Sequence, residues 1–412
     1  MSETSSRVDT ITVRPSPGAG TESAHAAWGA VFSLALGVFA LVTAEFLPAS
    51  LLTPMARGLG VSDGTAGQAV TATALVGAFA GPIVVVGLGR IDRRVIVRAL
   101  VLLLVVSNLL AALASTVWIL LTARVALGFA LGGFWSLAPA LCLRLVPQRL
   151  VARAISIIFT GVSAATVCAA PLGAYLGDVL GWRMTFLSAG GLSAAALLAL
   201  FATLPRLPAT DAPGLGTFLI LLRRPRIQVG MLTLVLVISG HFAGFTYVRP
   251  FLEQVSHLHP AMISLVLLVF GVGGFFGNLA GGVVAGRSAR LGVGLGSLLL
   301  AAASLLLLGY GAAASVTFTA LAAWGFAFGA LPVALQTLTT QSAPDHAESA
   351  GALLVTMFQI AIATGAIVGG LLVDGFGARG AIGYCSLGAV VGSLVMFGLG
   401  RSSAISSEGV AA

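Results

Sequence analysis

The chain has 412 residues, of which 58% are hydrophobic and 8% charged, with a formal net charge of +8. Soluble domains carry close to one quarter charged residues and must cover their surface with polar groups, so these proportions exclude a water-soluble globule of this size. Lipid is therefore the solvent for most of the chain, and its long apolar runs do not alternate with polar residues, which selects membrane-spanning helices over a closed barrel. All 21 basic residues are arginine, set singly between apolar runs. That is the distribution of membrane topology signals rather than of a nucleic-acid surface.

Residues 1–27 are rich in Ser, Thr, Pro and Gly and read as a disordered tail. Twelve apolar spans follow, at 28–52, 66–88, 95–114, 117–141, 154–178, 184–204, 229–252, 261–285, 291–313, 315–337, 348–373 and 380–400. The first is not a cleaved signal, because it continues past Glu45 into a full span. The expected class is an all-α membrane protein with its twelve helices in two pseudo-symmetric bundles. The first six helices occupy 28–204, a Pro- and Arg-rich linker 205–227, the last six helices 228–400, and a short tail 401–412. With the N-terminus inside, sixteen arginines fall in inner segments and only Arg57, Arg183, Arg249 and Arg379 in outer ones. This bias places both termini in the cytoplasm.

An internal repeat joins the two halves. Moving the second half back by 196 residues lays Pro250 on Pro54, Gly277 on Gly81, Arg290 on Arg94, Asp374 on Asp178 and Arg379 on Arg183. Six spans separate the equivalents, so the repeats run parallel, as in carriers whose halves rock about an axis normal to the membrane. The 53 glycines include Gly128-x-x-x-Gly132 and Gly273-x-x-x-Gly277-x-x-x-Gly281, spacings that let helices approach closely. Cys142, Cys168 and Cys385 share no metal-ligand spacing and read as packing residues. No Walker A sequence is present, so neither a cofactor nor ATP is expected, and an ion gradient is the expected energy source.

Against this apolar background three charged or titratable residues stand out deep inside spans, away from their ends. Glu45 is in the first, Arg124 in the fourth, and His241, the repeat counterpart of Glu45, in the seventh. An ionised carboxylate in hydrocarbon needs a partner, a cavity or a proton, and His is the side chain most able to titrate near neutral pH. Glu45 and Arg124 lie at similar depth, roughly 10 Å below the outer boundary. These three are the proton-coupling candidates. Phe46, Trp135, Phe242, Phe245, Tyr247, Gln336 and Gln359 are candidates to line a substrate site, since aromatic faces stack on flat heterocycles and amides read their edges.

The chain resembles the major facilitator superfamily, in its twelve-span drug:proton antiporter branch. The similarity rests on Leu120-x-x-x-Arg124-x-x-x-Gly128-x-x-x-Gly132, on Ala170-Pro171-Leu172-Gly173, on Gly181-Trp182-Arg183-x-x-Phe186, and on a degenerate gating loop from Gly87 to Arg94. It implies a carrier rather than an enzyme, with Arg124 beside the first span. Arg90, Asp92, Arg93, Arg94, Pro171 and Gly173 would serve gating and helix packing, with Asp92 out of register for the loop's charge relay. The segments Glu45 to Pro54, Leu131 to Trp135 and Phe245 to Pro250 are similar to the bacterial purine ribonucleoside exporters of that branch. That likeness implies export of inosine- or guanosine-like nucleosides from the bacterial cytoplasm, across the inner membrane, in exchange for protons. A sugar or multidrug (chloramphenicol-like) exporter is the alternative. In a different class stand a receptor without flux and an intramembrane enzyme, for which the sequence supplies no nucleophile or metal set. No partner chain is required, and a monomer is expected.

Overall fold

The computed structural model describes residues 27–88, 91–147, 150–208 and 220–408. Among them the first half supplies α1 (Trp28–Leu59), α2 (Asp63–Pro82), α3 (Arg93–Ala112), α4 (Val117–Leu145), α5 (Val151–Val179) and α6 (Trp182–Thr203). The second half supplies α7 (Pro225–Thr246), the short α8 (Val248–Gln254), α9 (Pro260–Arg287), α10 (Ala289–Tyr310), α11 (Ala314–Ser342), α12 (Ala347–Phe376) and α13 (Ala378–Glu408). Eleven of these helices are long and apolar enough to cross a bilayer. The twelfth, α2, carries Asp63, Gln68 and three threonines. It tolerates them because it packs against α4 on one side and α12 on the other, so little of its surface must dissolve in lipid. The expected seventh span is divided at Tyr247 into α7 and α8.

The packing repeats as the sequence does. In the first half α1 packs on α5, α2 on α4, and α3 on α6; in the second α7 packs on α12, α9 on α11, and α10 on α13. The halves meet through α2 against α12 and α5 against α9, again a repeat-related pair of contacts. Gly181 and Gly377, 196 residues apart, take positive φ values of 84° and 74° in the turns after α5 and α12. Only glycine enters that conformation without strain. At one point the repeat shifts. Arg290 binds the carbonyls of Met396 and Phe397 in α13, and the residue that binds the carbonyls of α6 is Arg98, bonded to Leu200 and Phe201, not Arg94. The Arg98 guanidinium lies at the last turn of α6, where it complements the negative end of the helix dipole.

One end of the molecule is rich in arginine and holds the linker. Asp92 caps α3 by accepting from the Arg94 backbone N–H at 2.8 Å and also accepts from the N–H of Leu207 at 3.1 Å. The Arg93 N–H donates back to the Leu207 carbonyl at 2.9 Å, and Arg144 donates to the Pro208 carbonyl. The loop expected to gate therefore docks the linker; Arg90 lies outside the described residues. Gly173 packs against Ser50 and Leu47 of α1, and Pro171 is buried in the same helix.

At this end Arg224 holds Asp345 through two hydrogen bonds of 2.7 and 2.5 Å. The Arg224 hydrogen bonds lower the Asp345 carboxyl from 3.8 to about 2. Such a pair stabilises the fold above pH 3.8, and its contribution fades as pH falls toward 2. Because both side chains are solvent-accessible, screening keeps the effect small. In a detergent melt at pH 7, Asp345→Asn is expected to lower the melting temperature by no more than about 2 °C, and the gap to the parent protein should shrink between pH 4 and 2.

Candidate functional site

Glu45 and Phe46 of α1 face a hollow shared by both halves. Val70 and Thr73 of α2, Phe242 and Phe245 of α7, and Ile362 of α12 complete its walls. Its free volume is about 10 Å³, the room of one water molecule, whereas small-molecule sites occupy roughly 300–1,000 Å³. In this conformation the hollow is too small for a substrate, and the Glu45 side chain is half-buried beside it. No ion pair or hydrogen bond engages this carboxylate among the described residues, so it is an acidic group set in an apolar hollow without a countercharge.

Arg124 lies near Glu45 in depth but does not pair with it in this conformation. Its guanidinium donates to the carbonyl of Ala44 at 3.0 Å and sits over the Phe186 ring at 4.6 Å. The reason is azimuth: consecutive residues on an α-helix are turned by about 100°. Ala44 therefore faces the interior of the first bundle when Glu45 faces the axis. Nε and Nη2 of Arg124 have no partner, and the side chain is fully buried. A rotation of α1 about its axis is the movement that would bring the carboxylate to these free N–H groups.

His241 is also fully buried, but away from the hollow. Its ring stacks on Phe328 at 3.6 Å and also packs against Phe245 and Phe270. Its Nδ1 accepts a hydrogen bond of 2.8 Å from the Trp324 indole N–H. Indole only donates, so Nδ1 carries a lone pair here and the imidazole proton sits on Nε2, which has no partner. This bond joins α7 to α11, the repeat counterparts of α1 and α4, where Arg124 meets Ala44. Trp324 lies one helical turn beyond position 320, the repeat mate of Arg124, and that register was the signal available for finding it.

The remaining expected site residues divide. Phe46, Phe242 and Phe245 line the hollow, with Phe46 edge-on to Phe245 at 5.8 Å. Gln359 is buried on the same face of α12 as Ile362, its Nε2 unpartnered and directed to Gly77 of α2. Trp135 is half-buried beside Phe159, and Gln336 is exposed; neither is brought to the hollow in this conformation. Tyr247 is not a lining residue here. It is fully buried and donates to the carbonyls of Ala366 at 2.9 Å and Gly64 at 3.3 Å, pinning α2 to α12.

Tyr247 belongs to a set of contacts that seals the arginine-poor end. Arg249, 3% exposed, donates to Asp178 of the other bundle at 2.7 Å, to the Ser50 carbonyl at 2.7 Å and to Glu253 at 2.8 Å. Asp374 accepts from Ser62 Oγ at 2.8 Å and the Gly64 N–H at 3.0 Å. The hydrogen bonds found between the two halves among the described residues lie at this end. The sequence marks Asp178 and Asp374 as a repeat-related pair and Arg249 as an outer charge, but carries no signal for the partners they find.

Comparison with known proteins fits this architecture to a family. The model of the Major Facilitator Superfamily matches residues 34–366. The chain belongs to the major facilitator superfamily. It is 41% identical over 350 residues to the purine ribonucleoside efflux pump NepI of Salmonella typhimurium, covering 85% of this chain and 88% of that one, and equally to NepI of Salmonella typhi. Among solved structures, a bacterial homolog of the human lysosomal transporter Spinster, inward-facing and occupied, superposes with a TM-score of 0.76 at 17% identity, covering 90% of this chain and 96% of that one. A POT family transporter in complex with 5-aminolevulinic acid gives 0.74 at 12% identity, covering 90% and 95%. These structures share the superfamily's fold with this chain. The protein is a multi-pass membrane transporter of small molecules and not an enzyme.

Proposed function

We propose that this transporter exports purine ribonucleosides, such as inosine or guanosine, in exchange for protons. The observation that carries the reading is the unpaired Glu45 in a hollow walled by Phe46, Phe242 and Phe245, in a chain 41% identical to a purine ribonucleoside efflux pump. A carboxylate in that setting alternates between a protonated state and a charged state held by a cation or by solvent. The free N–H groups of Arg124 supply a cation one helix rotation away. The phenyl rings offer stacking faces for a purine once the hollow widens, and the unpartnered Gln359 amide offers a hydrogen-bond donor to its edge. His241 serves this site through its fixed Nε2 proton and the aromatic stack it holds. The arginine bias puts the arginine-rich end in the cytoplasm of a bacterial inner membrane, and the sealed end then faces outward. The protein acts as a monomer.

The test is stabilisation by substrate. Detergent-purified protein is expected to melt higher with inosine or guanosine and not with sugars or chloramphenicol, because a ligand that binds only the folded state raises its stability by mass action. Gln359→Leu should weaken the nucleoside effect by about tenfold in midpoint concentration, the scale of one lost hydrogen bond. Stabilisation by chloramphenicol or a sugar in place of the nucleosides overturns the cargo assignment.

A further inference from the structure

The cross-bundle contacts at the arginine-poor end form a pattern that the proposed cargo and proton site do not use. Asp178 and Asp374 are 196 residues apart and occupy equivalent places in the repeat, at the ends of α5 and α12. Each reaches across to the opposite bundle, but they find different positive partners. Asp178 meets a side-chain charge, the nearly buried guanidinium of Arg249. That arginine is anchored a second time across the divide, on the Ser50 carbonyl of α1. Asp374 meets the positive end of a helix, accepting from Ser62 and from the free backbone N–H of Gly64 in the first turn of α2.

The second contact depends on bare backbone. A methyl group added at Gly64 would collide with the Asp374 carboxylate and the Gly370 carbonyl, and one added at Gly67 would collide with the Tyr247 hydroxyl. One approach is therefore closed by an ion pair and the other by a carboxylate seated on a helix start. Between them Tyr247 bonds to both α2 and α12.

We propose that Asp178 and Asp374 are paired latch residues that hold the arginine-poor end shut and set how often the carrier opens toward that side. The inference rests on the reading of this chain as a carrier whose halves rock, but not on its cargo or its coupling ion. Asp178 and Arg249 act as one unit, and Asp374 with the start of α2 acts as a second. Opening requires both units to release, since each spans the same divide between the bundles.

The test is accessibility from the sealed side. In a background with Cys142, Cys168 and Cys385 replaced by serine, Ala49→Cys places a thiol in the wall of the hollow. Right-side-out vesicles are treated with a membrane-impermeant thiol reagent, without substrate or pH gradient. Asp178→Asn and Asp374→Asn are each expected to raise the labelling rate at least fivefold and together to multiply. Arg249→Gln, which also removes the bond to the Ser50 carbonyl, should raise labelling at least as much as Asp178→Asn, and adding Asp178→Asn to it should change little, as groups acting as one unit do. Ser62→Ala, which removes one hydrogen bond of the second unit, gives a smaller rise and keeps the test available if an Asn variant folds poorly. Unchanged labelling in the folded variants overturns the proposal, as does an equal rise in Asp345→Asn, whose ion pair lies at the other end. Because no cargo is present, a positive result stands even if nucleosides prove not to be transported, and a negative one leaves the cargo assignment untouched.

Discussion

Glu45→Gln is expected to abolish proton-driven nucleoside accumulation while leaving nucleoside exchange intact. Glutamine keeps the shape of the side chain and its hydrogen-bonding capacity but cannot carry a proton. In vesicles with an acidic lumen, an exchanger that moves one proton outward per nucleoside inward gains about 1.4 kcal/mol per pH unit, a tenfold accumulation. A gradient of two units thus supports about a hundredfold accumulation in the parent protein, and Glu45→Gln should bring the ratio to about one. Counterflow of labelled against unlabelled inosine needs no net proton movement and should persist, which separates lost coupling from lost folding. Since the carboxylate has no cationic partner in this conformation, neutralising it breaks no ion pair, and the melting temperature should hold or rise. An accumulation ratio near that of the parent protein would remove Glu45 from the coupling step.

The second large effect falls on the crossing of α9 and α11. A Cβ on Gly325 would lie 2.8 Å from the Phe270 carbonyl carbon and 3.0 Å from its Cα, and one on Gly277 would lie 2.7 Å from the Phe326 carbonyl carbon. These neighbours are backbone atoms of a packed helix, so they cannot turn aside as a side-chain tip can. Helices in lipid gain their association from such close packing rather than from a hydrophobic driving force. Gly325→Ala and Gly277→Ala should each cost about 1–3 kcal/mol, a fall of several degrees in a detergent melt. Their combination need not be additive, because both act on one crossing. Gly286 in the same α9 is the internal control, as nothing lies within 4 Å of the position a Cβ would take there. There alanine is the better helix former by up to about 1 kcal/mol, and Gly286→Ala should be neutral or stabilising. Equal losses at all three positions would mean that glycine's conformational freedom, not the close approach, matters in this helix.

The architecture was legible in the sequence because lipid imposes a simple code: long apolar runs, arginines between them, and a constant 196-residue offset. The offset placed Gly181 with Gly377 and Asp178 with Asp374, and the structure gives each pair an equivalent position. Depth was legible as well, since helical rise put Glu45 and Arg124 at one level. Rotation about the helix axis was not. A single residue's difference in facing sends Arg124 to the carbonyl of Ala44 and leaves Glu45 to the hollow, and hydropathy is nearly uniform around α1, so no polar stripe marked the inner face. The same uncertainty put Tyr247 among the lining residues, although its hydroxyl closes the gap between α2 and α12. The Arg249–Asp178 contact was beyond reach for another reason. It joins residues 71 apart in separate bundles, and neither local pattern nor repeat register specifies which partner crosses a shared interface. The first-to-fourth helix contacts of the two halves use different chemistry, Arg124 to a carbonyl and Trp324 to His241, so knowledge of one did not disclose the other.

The most direct measurement of coupled exchange is the lumenal pH of proteoliposomes, followed with a trapped dye after inosine is added outside with no initial gradient and the membrane potential clamped. Inosine entering down its gradient should drive protons out and make the lumen more alkaline, with no such signal from Glu45→Gln vesicles. Inosine entry without any pH change, or alkalinisation that persists in Glu45→Gln, would contradict nucleoside–proton exchange through this carboxylate.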